Sequence, residues 1–189
     1  MKQIAFLAAA TCLALSACSP APDKDTPQPA EQRGADAPVA TAPVPAKNEL
    51  TLAGLADLKI GEAAPEGSDW QARGAPVGNG CSTARSADFP GIYALIEDGK
   101  VRRITAGEGS TVKLAGGISV GASEAAAKAR FPTFAEEPHK YEEAPAKYLM
   151  TPDLKPSVTG VRLEIKADGK VGLIHVGQLP VLAYVEGCG

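Results

Sequence analysis

Two stretches about seventy residues apart carry one pattern, and this duplication constrains the fold more than any other feature of the chain. Gly91 to Ile104 reads Gly-Ile-Tyr-Ala-Leu-Ile-Glu-Asp-Gly-Lys-Val-Arg-Arg-Ile, and Gly160 to Ile174 repeats its main features. Both set an Asp-Gly pair, Asp98-Gly99 and Asp168-Gly169, between apolar runs, and Lys-Val follows each. Asp-Gly accepts the positive φ angles of a type I′ turn, whose twist suits two antiparallel strands. Each copy is therefore expected to be a β-hairpin with a two-residue turn, within a repeated fold unit.

A two-residue turn places Ile96 opposite Val101, Leu95 opposite Arg102 and Tyr93 opposite Ile104. In the second hairpin Val161, Leu163, Ile165, Ile174 and Val176 alternate to one face, and Arg162, Glu164, Lys166 and His175 to the other. That alternation predicts a sheet with one wet side. Counting outward from the turns sets Ile92, Ala94, Ile96 and Val101 where the second copy has Arg162, Glu164, Lys166 and Val171. The first sheet is then apolar on both sides. Either another segment covers the extra face, with Leu50 to Leu58 the candidate, or Ile92, Ala94 and Ile96 form an exposed binding surface.

Upstream of each hairpin stands a matching tetrad, Leu58-Lys59-Ile60-Gly61 and Ile118-Ser119-Val120-Gly121. The second introduces a clear helix: Ser123 can cap it, Glu124 suits its first turn, three alanines follow, and Pro132 stops it after Phe131. Pro65, Gly67 and Gly74 weaken the counterpart, which is placed around Asp69 to Arg73, with Trp70 at the core edge. Further strands are expected from Cys81, over Thr111 to Leu114, over Lys147 to Thr151, and over Val181 to Glu186.

The N-terminus is not fold. A positive Met1-Lys2-Gln3 precedes the apolar run Ile4 to Leu15, too short to span a bilayer, and together they read as a secretory signal over residues 1–17. Its end, Leu15-Ser16-Ala17-Cys18, resembles the bacterial lipobox. The resemblance implies a diacylglyceryl group on the Cys18 thiol and cleavage before that residue, and Ser19 in place of Asp implies the outer membrane. Several acyl chains at about 0.8 kcal/mol per buried methylene would make a lasting anchor in the lipid bilayer. Residues 18–48 then read as a tether, since Ser19 to Lys47 holds seven prolines and no large apolar residue beyond two valines.

Cysteine usage fits export. With Cys12 in the signal and Cys18 lipidated, Cys81 and Cys188 are left as a pair and are expected to form a disulfide. In the chain-entropy picture such a bond stabilises the fold by roughly 4 to 5 kcal/mol.

The tetrad-helix-hairpin order resembles the scaffold of the β-lactamase inhibitor proteins and of the SmpA/OmlA lipoproteins, which include BamE. The matching residues are Ile118 to Glu124 and the Asp-Gly hairpins. The resemblance implies an α+β fold of two tandem units, residues 49–115 and 116–189, each a short helical segment packed on a small antiparallel sheet. It also implies a non-catalytic role.

Candidate chemistry is sparse. His139 and His175 are the chain's two histidines. His175 reads as a solvated strand residue opposite Arg162, whose charge disfavours imidazolium. His139 lies in a polar loop near Glu136-Glu137 and Glu142-Glu143 and reads as surface; neighbouring acids in a loop do not converge on one bond. No HExxH, Walker, EF-hand or flanked GxGxxG pattern occurs, and no catalytic residue, metal or cofactor is assigned. A net charge of −3 without a basic aromatic stripe argues against nucleic acid. The expected function is a non-catalytic outer-membrane lipoprotein, its folded part periplasmic, binding another envelope protein as an assembly or maintenance factor or an inhibitor. The alternative is a glycan-binding module that stacks sugars on Trp70, Tyr141 and Tyr148; an enzyme ranks below both.

Overall fold

Two antiparallel meanders meet edge to edge in this protein. A computed structural model describes residues 46–78 and 80–188; the signal segment, Cys18 and the tether up to residue 45 lie outside the described residues. The first meander is β4 (Gln71–Val77), β5 (Cys81–Arg85), β6 (Ile92–Glu97) and β7 (Lys100–Ala106). The second is β9 (Ala135–Pro138), β10 (Lys147–Met150), β11 (Thr159–Ile165) and β12 (Val171–Gln178). The last strand of each pairs antiparallel with the other, Ile174 opposite Ala106 and Val176 opposite Ile104. One eight-stranded sheet results, in the order β4-β5-β6-β7-β12-β11-β10-β9.

A second, four-stranded sheet comes from β1 (Glu49–Thr51), β2 (Gly54–Leu55), β3 (Leu58–Lys59) and β8 (Lys113–Leu114), in the order β3-β2-β1-β8. Helix α1 (Glu124–Arg130) is capped by Ser123, whose Oγ accepts from the Ala126 N–H at 3.2 Å. After β12 comes a 3-10 turn, η1 (Val181–Ala183).

The expected α+β architecture of two helix-on-sheet units is therefore corrected. The regular structure of the described residues is mostly strand, with one short α-helix, and the two hairpins belong to a single sheet. Where a first helix was expected, Gln71 already pairs with Arg85; the glycines and proline there suit an edge strand rather than a helix. The strand expected at Val181 to Glu186 is also absent, replaced by η1 and the segment after it.

The duplication survives this correction at the level of individual hydrogen bonds. Gly61 N–H donates to Val101 O at 2.7 Å and Val101 N–H to Glu62 O at 2.8 Å; Gly121 and Ala122 make the same reciprocal pair with Val171, both at 2.8 Å. Both tetrads thus dock on the same position of their hairpins.

The hairpins differ by one residue in the turn. Asp98 and Gly99 take φ of 53° and 70°, as a two-residue type I′ turn requires, and Glu97 pairs with Lys100. In the second, Lys166 N–H donates to Lys170 O and Gly169 at φ 73° closes a three-residue loop. Each hairpin also has a register shift just beyond its turn, which makes Leu95 face Arg103 and Tyr93 face Thr105, against the expected Arg102 and Ile104. The structural counterparts of Ile92, Ala94 and Ile96 are accordingly Val161, Leu163 and Ile165, and not the charged residues obtained by counting from Asp-Gly.

All six belong to one face and one core. Ile92, Ala94, Val101 and Ile104 cluster with Leu163, Ile165, Val171 and Ile174 of the second meander, with Leu50, Leu55, Leu58 and Leu114 of the small sheet, and with Ala127 of α1. The small sheet and helix thus cover the face. Segment Leu50 to Leu58 supplies three fully buried leucines, each worth about 1.5 to 3 kcal/mol of transfer free energy.

Candidate functional site

The opposite face of the large sheet carries the unusual chemistry. The register lines up Tyr93, Thr105, His175, Arg162 and Met150 in one row across five strands, with Leu95, Arg103, Gly177 and Gly160 in the next. This face was expected to be wet. Instead Arg103, Arg162, Thr105 and His175 are buried, with 1, 4, 0 and 3 % of their surfaces exposed.

Their cover is the C-terminal strap. Val181 and Leu182 of η1 are buried, and the carbonyls that end this turn receive the guanidiniums. Arg103 Nη1 donates to Val181 O at 3.1 Å and Tyr184 O at 2.5 Å, and Arg162 Nη1 to Ala183 O at 3.2 Å and Tyr184 O at 3.4 Å. Cations at the C-terminal end of a helical turn are favoured there by the orphan carbonyls. Arg162 also lies over the Tyr148 ring at 3.6 Å, a cation–π contact. Room for Arg103 comes from Gly177, where a Cβ would meet Arg103 Cβ at 3.0 Å and Arg102 O at 2.3 Å.

Among the described residues neither guanidinium has a carboxylate within ion-pair distance, and Nε of each has no partner. Burial lowers the Arg103 pKa, with Arg162 acting in the same direction and Tyr93 and Glu164 opposing it. His175 is pushed well below its ordinary value, first by burial and then by Arg103 and Arg162; its Nδ1 lies 2.9 Å from Thr105 Oγ1. It is a sealed neutral imidazole, not the solvated residue expected.

The strap is tied down covalently. Cys81, the first residue of β5, is bonded to Cys188 with their Cα atoms 5.5 Å apart. An open groove of about 480 Å³ runs alongside, lined by Val77, Gly78, Glu97, Lys140, the disulfide and residues 183–187.

The other residues singled out from the sequence are scattered. Ile92 and Ala94 are buried and Ile96 is partly buried against the core, so these side chains are not open to a partner. Trp70, 8 % exposed, stacks on Phe89 at 5.7 Å. Tyr148, 2 % exposed, lies between His139 at 4.7 Å and Arg162. Tyr141 is exposed, its hydroxyl bonded to Glu186. Trp70 and Tyr148 are buried against other side chains and offer no open stacking platform. Cys18 lies outside the described residues. Arg103 and Arg162 were missed as site residues; the signal available was the row of charged positions in a strand whose neighbours are apolar.

His139, Glu142 and Glu164 bring potential ligand atoms within 4.8 Å of one another. The imidazole is turned the wrong way for a cation. Its Nδ1 accepts from the Tyr141 and Glu142 N–H groups at 3.2 and 2.9 Å, which leaves the proton on Nε2, 3.5 Å from Glu164 Oε1. A metal ligand needs a free lone pair at that nitrogen, so the cluster is an imidazole facing a carboxylate.

Among the described residues no helix is long and apolar enough to cross a membrane. Comparison of the chain with protein-family models, with curated proteins and with solved structures yields no match.

Proposed function

We propose that this chain is a non-catalytic module of the cell envelope, anchored by lipid on Cys18, that binds an extended segment of another protein along strand β4. The observation that carries the reading is the contrast between the two ends of the large sheet. Edge strand β9 has four residues, Ala-Glu-Glu-Pro, and its Glu136 is engaged by Lys128 and Lys147 at 2.6 and 3.2 Å. Short length, acidic side chains and proline blunt such an edge. Edge strand β4 has seven residues with Arg73 its one charge, and it exposes Gln71 to Arg73 and Ala75 to Val77.

An unpaired strand edge is a template for a further strand, whose backbone supplies affinity while alternate side chains enter neighbouring recesses. Pro76 withholds one N–H, so Gln71 to Arg73 form the pairing stretch. Val77 leads into the groove beside the disulfide, which receives an apolar side chain of the partner. The glycan reading has less support, because Trp70 and Tyr148 are covered.

Photocrosslinking in the native envelope tests the proposal. A photoreactive residue at Ala72 or Val77 is expected to yield a discrete protein adduct that the same probe at Val158, exposed in the other meander, does not. Equal yields at all three positions, or no adduct at Ala72 and Val77, would reject it.

A further inference from the structure

We propose that the C-terminal strap plugs an oxyanion site built from Arg103 and Arg162, and that reduction of the Cys81–Cys188 disulfide opens it. The inference does not depend on the reading of β4.

Two guanidiniums share one sheet face with no carboxylate in ion-pair range among the described residues, and both Nε atoms are unpartnered. Burying a charge without a counter-charge is strongly unfavourable. Among the described residues the hydrogen-bond acceptors of the two guanidiniums are three backbone carbonyls, those of Val181, Ala183 and Tyr184, with the Tyr148 ring against Arg162. Each guanidinium directs its Nη1 at two of these oxygens, which stand where the oxygens of a carboxylate or phosphate would bind. Thr105 supplies a hydroxyl on the same face. An oxyanion would satisfy the free Nε groups and neutralise the charge, which carbonyl dipoles do not.

The plug is short and has one covalent fastening. Beyond the buried Val181 and Leu182, residues 183–188 are exposed or partly exposed, and Cys188 lines the open groove. A dithiol reductant entering by that groove attacks the disulfide. It gives up two electrons and two protons, becomes a disulfide itself, and leaves Cys81 and Cys188 as thiols. Released, the strap competes with a free anion for the same donors.

The test uses the folded chain in three states: oxidised, reduced with dithiothreitol, and Cys188→Ser. Hydrogen exchange at the Ala183 and Tyr184 amides, which donate to Pro180 and Val181 O, is expected to accelerate at least tenfold on reduction. Titrations with inorganic phosphate and with acetate, followed by the same exchange and by thermal midpoint, separate the two anion classes. At least one is expected to bind the open states ten times more tightly than the oxidised chain. Adding Arg162→Gln to Cys188→Ser should abolish that binding. Should Cys188→Ser fail to fold, reversible reduction of the unmodified chain answers the same question. Unchanged strap protection on reduction, no anion effect in the reduced chain, or binding that persists in Arg162→Gln would each overturn the proposal.

Discussion

Val101 and Val171 occupy one position twice: each exchanges a reciprocal pair of backbone hydrogen bonds with the last residue of its tetrad and the residue after it, Gly61-Glu62 or Gly121-Ala122. Both side chains are buried, 0 and 1 % exposed. Replacing either by alanine removes two buried methyl groups at the same joint, so Val101→Ala and Val171→Ala should cost similar amounts, about 2 kcal/mol each. Val158→Ala, at an exposed position, should cost under about 0.5 kcal/mol. Urea titrations of the three variants check this, and a large inequality between the first two would deny the equivalence.

Gly177 is required by contact rather than by φ. The Cβ of an alanine would press on the Arg102 carbonyl at 2.3 Å, and backbone there cannot retreat without parting β7 from β12. Gly177→Ala should destabilise by about 2 to 3 kcal/mol. Gly169→Ala meets nothing within 4 Å but holds φ at 73°, so strain alone should cost about 1 kcal/mol. Denaturation midpoints should rank the two in that order.

Stability should fall as the solution is acidified below neutral, through His175. Its folded form is neutral, held far below the ordinary 6.5 by burial and by Arg103 on β7 and Arg162 on β11, while Thr105 faces it from β7. The unfolded imidazole protonates near 6.5. Unfolding therefore takes up a proton below that pH. The contribution is complete above about 6.5 and is lost as pH drops, by up to about 1.4 kcal/mol per unit until the folded group titrates. His175→Gln should lower stability at pH 7 yet flatten the slope between pH 7 and 5. A slope unchanged by the substitution would refute the assignment.

The small sheet is a cover, and its leucines are the test of that. Leu55 is fully buried and pairs with both Leu50 and Leu58. Leu55→Ala should cost about 2 to 5 kcal/mol and raise binding of a hydrophobic dye. Stability close to that of the unmodified chain would show that the face needs no cover.

What the sequence disclosed follows the range of the forces involved. Helix α1 was legible because its determinants, from Ser123 to Pro132, are contiguous. The Asp98-Gly99 turn was legible because two residues dictate its geometry. The Asp168-Gly169 loop was misjudged, since the same dipeptide serves two loop lengths that differ by one residue, and that residue inverts which positions of the copies correspond. Strand β4 has no alternation of its own and forms because β5 offers a partner, a tertiary effect invisible in Gln-Ala-Arg-Gly-Ala-Pro-Val. The polar face around Arg103 and His175 read as wet because nothing local records that residues 181–184 return to cover it. The Cys81–Cys188 pairing was readable because counting cysteines requires no geometry.

The seam between β7 and β12 has an ancestral implication. Either meander alone would end in a bare strand, and a second copy of the same unit would satisfy that strand through the antiparallel pairing seen here. Two such units on separate chains would have to meet by diffusion to form the sheet. On one chain, joined through residues 107–134, they meet at an effective concentration set by the connection. The protein is in this sense a dimer that cannot dissociate, and its halves differ where they meet: β7 brings Arg103 and Thr105 to the seam, and β12 sets Gly177 and His175 opposite them.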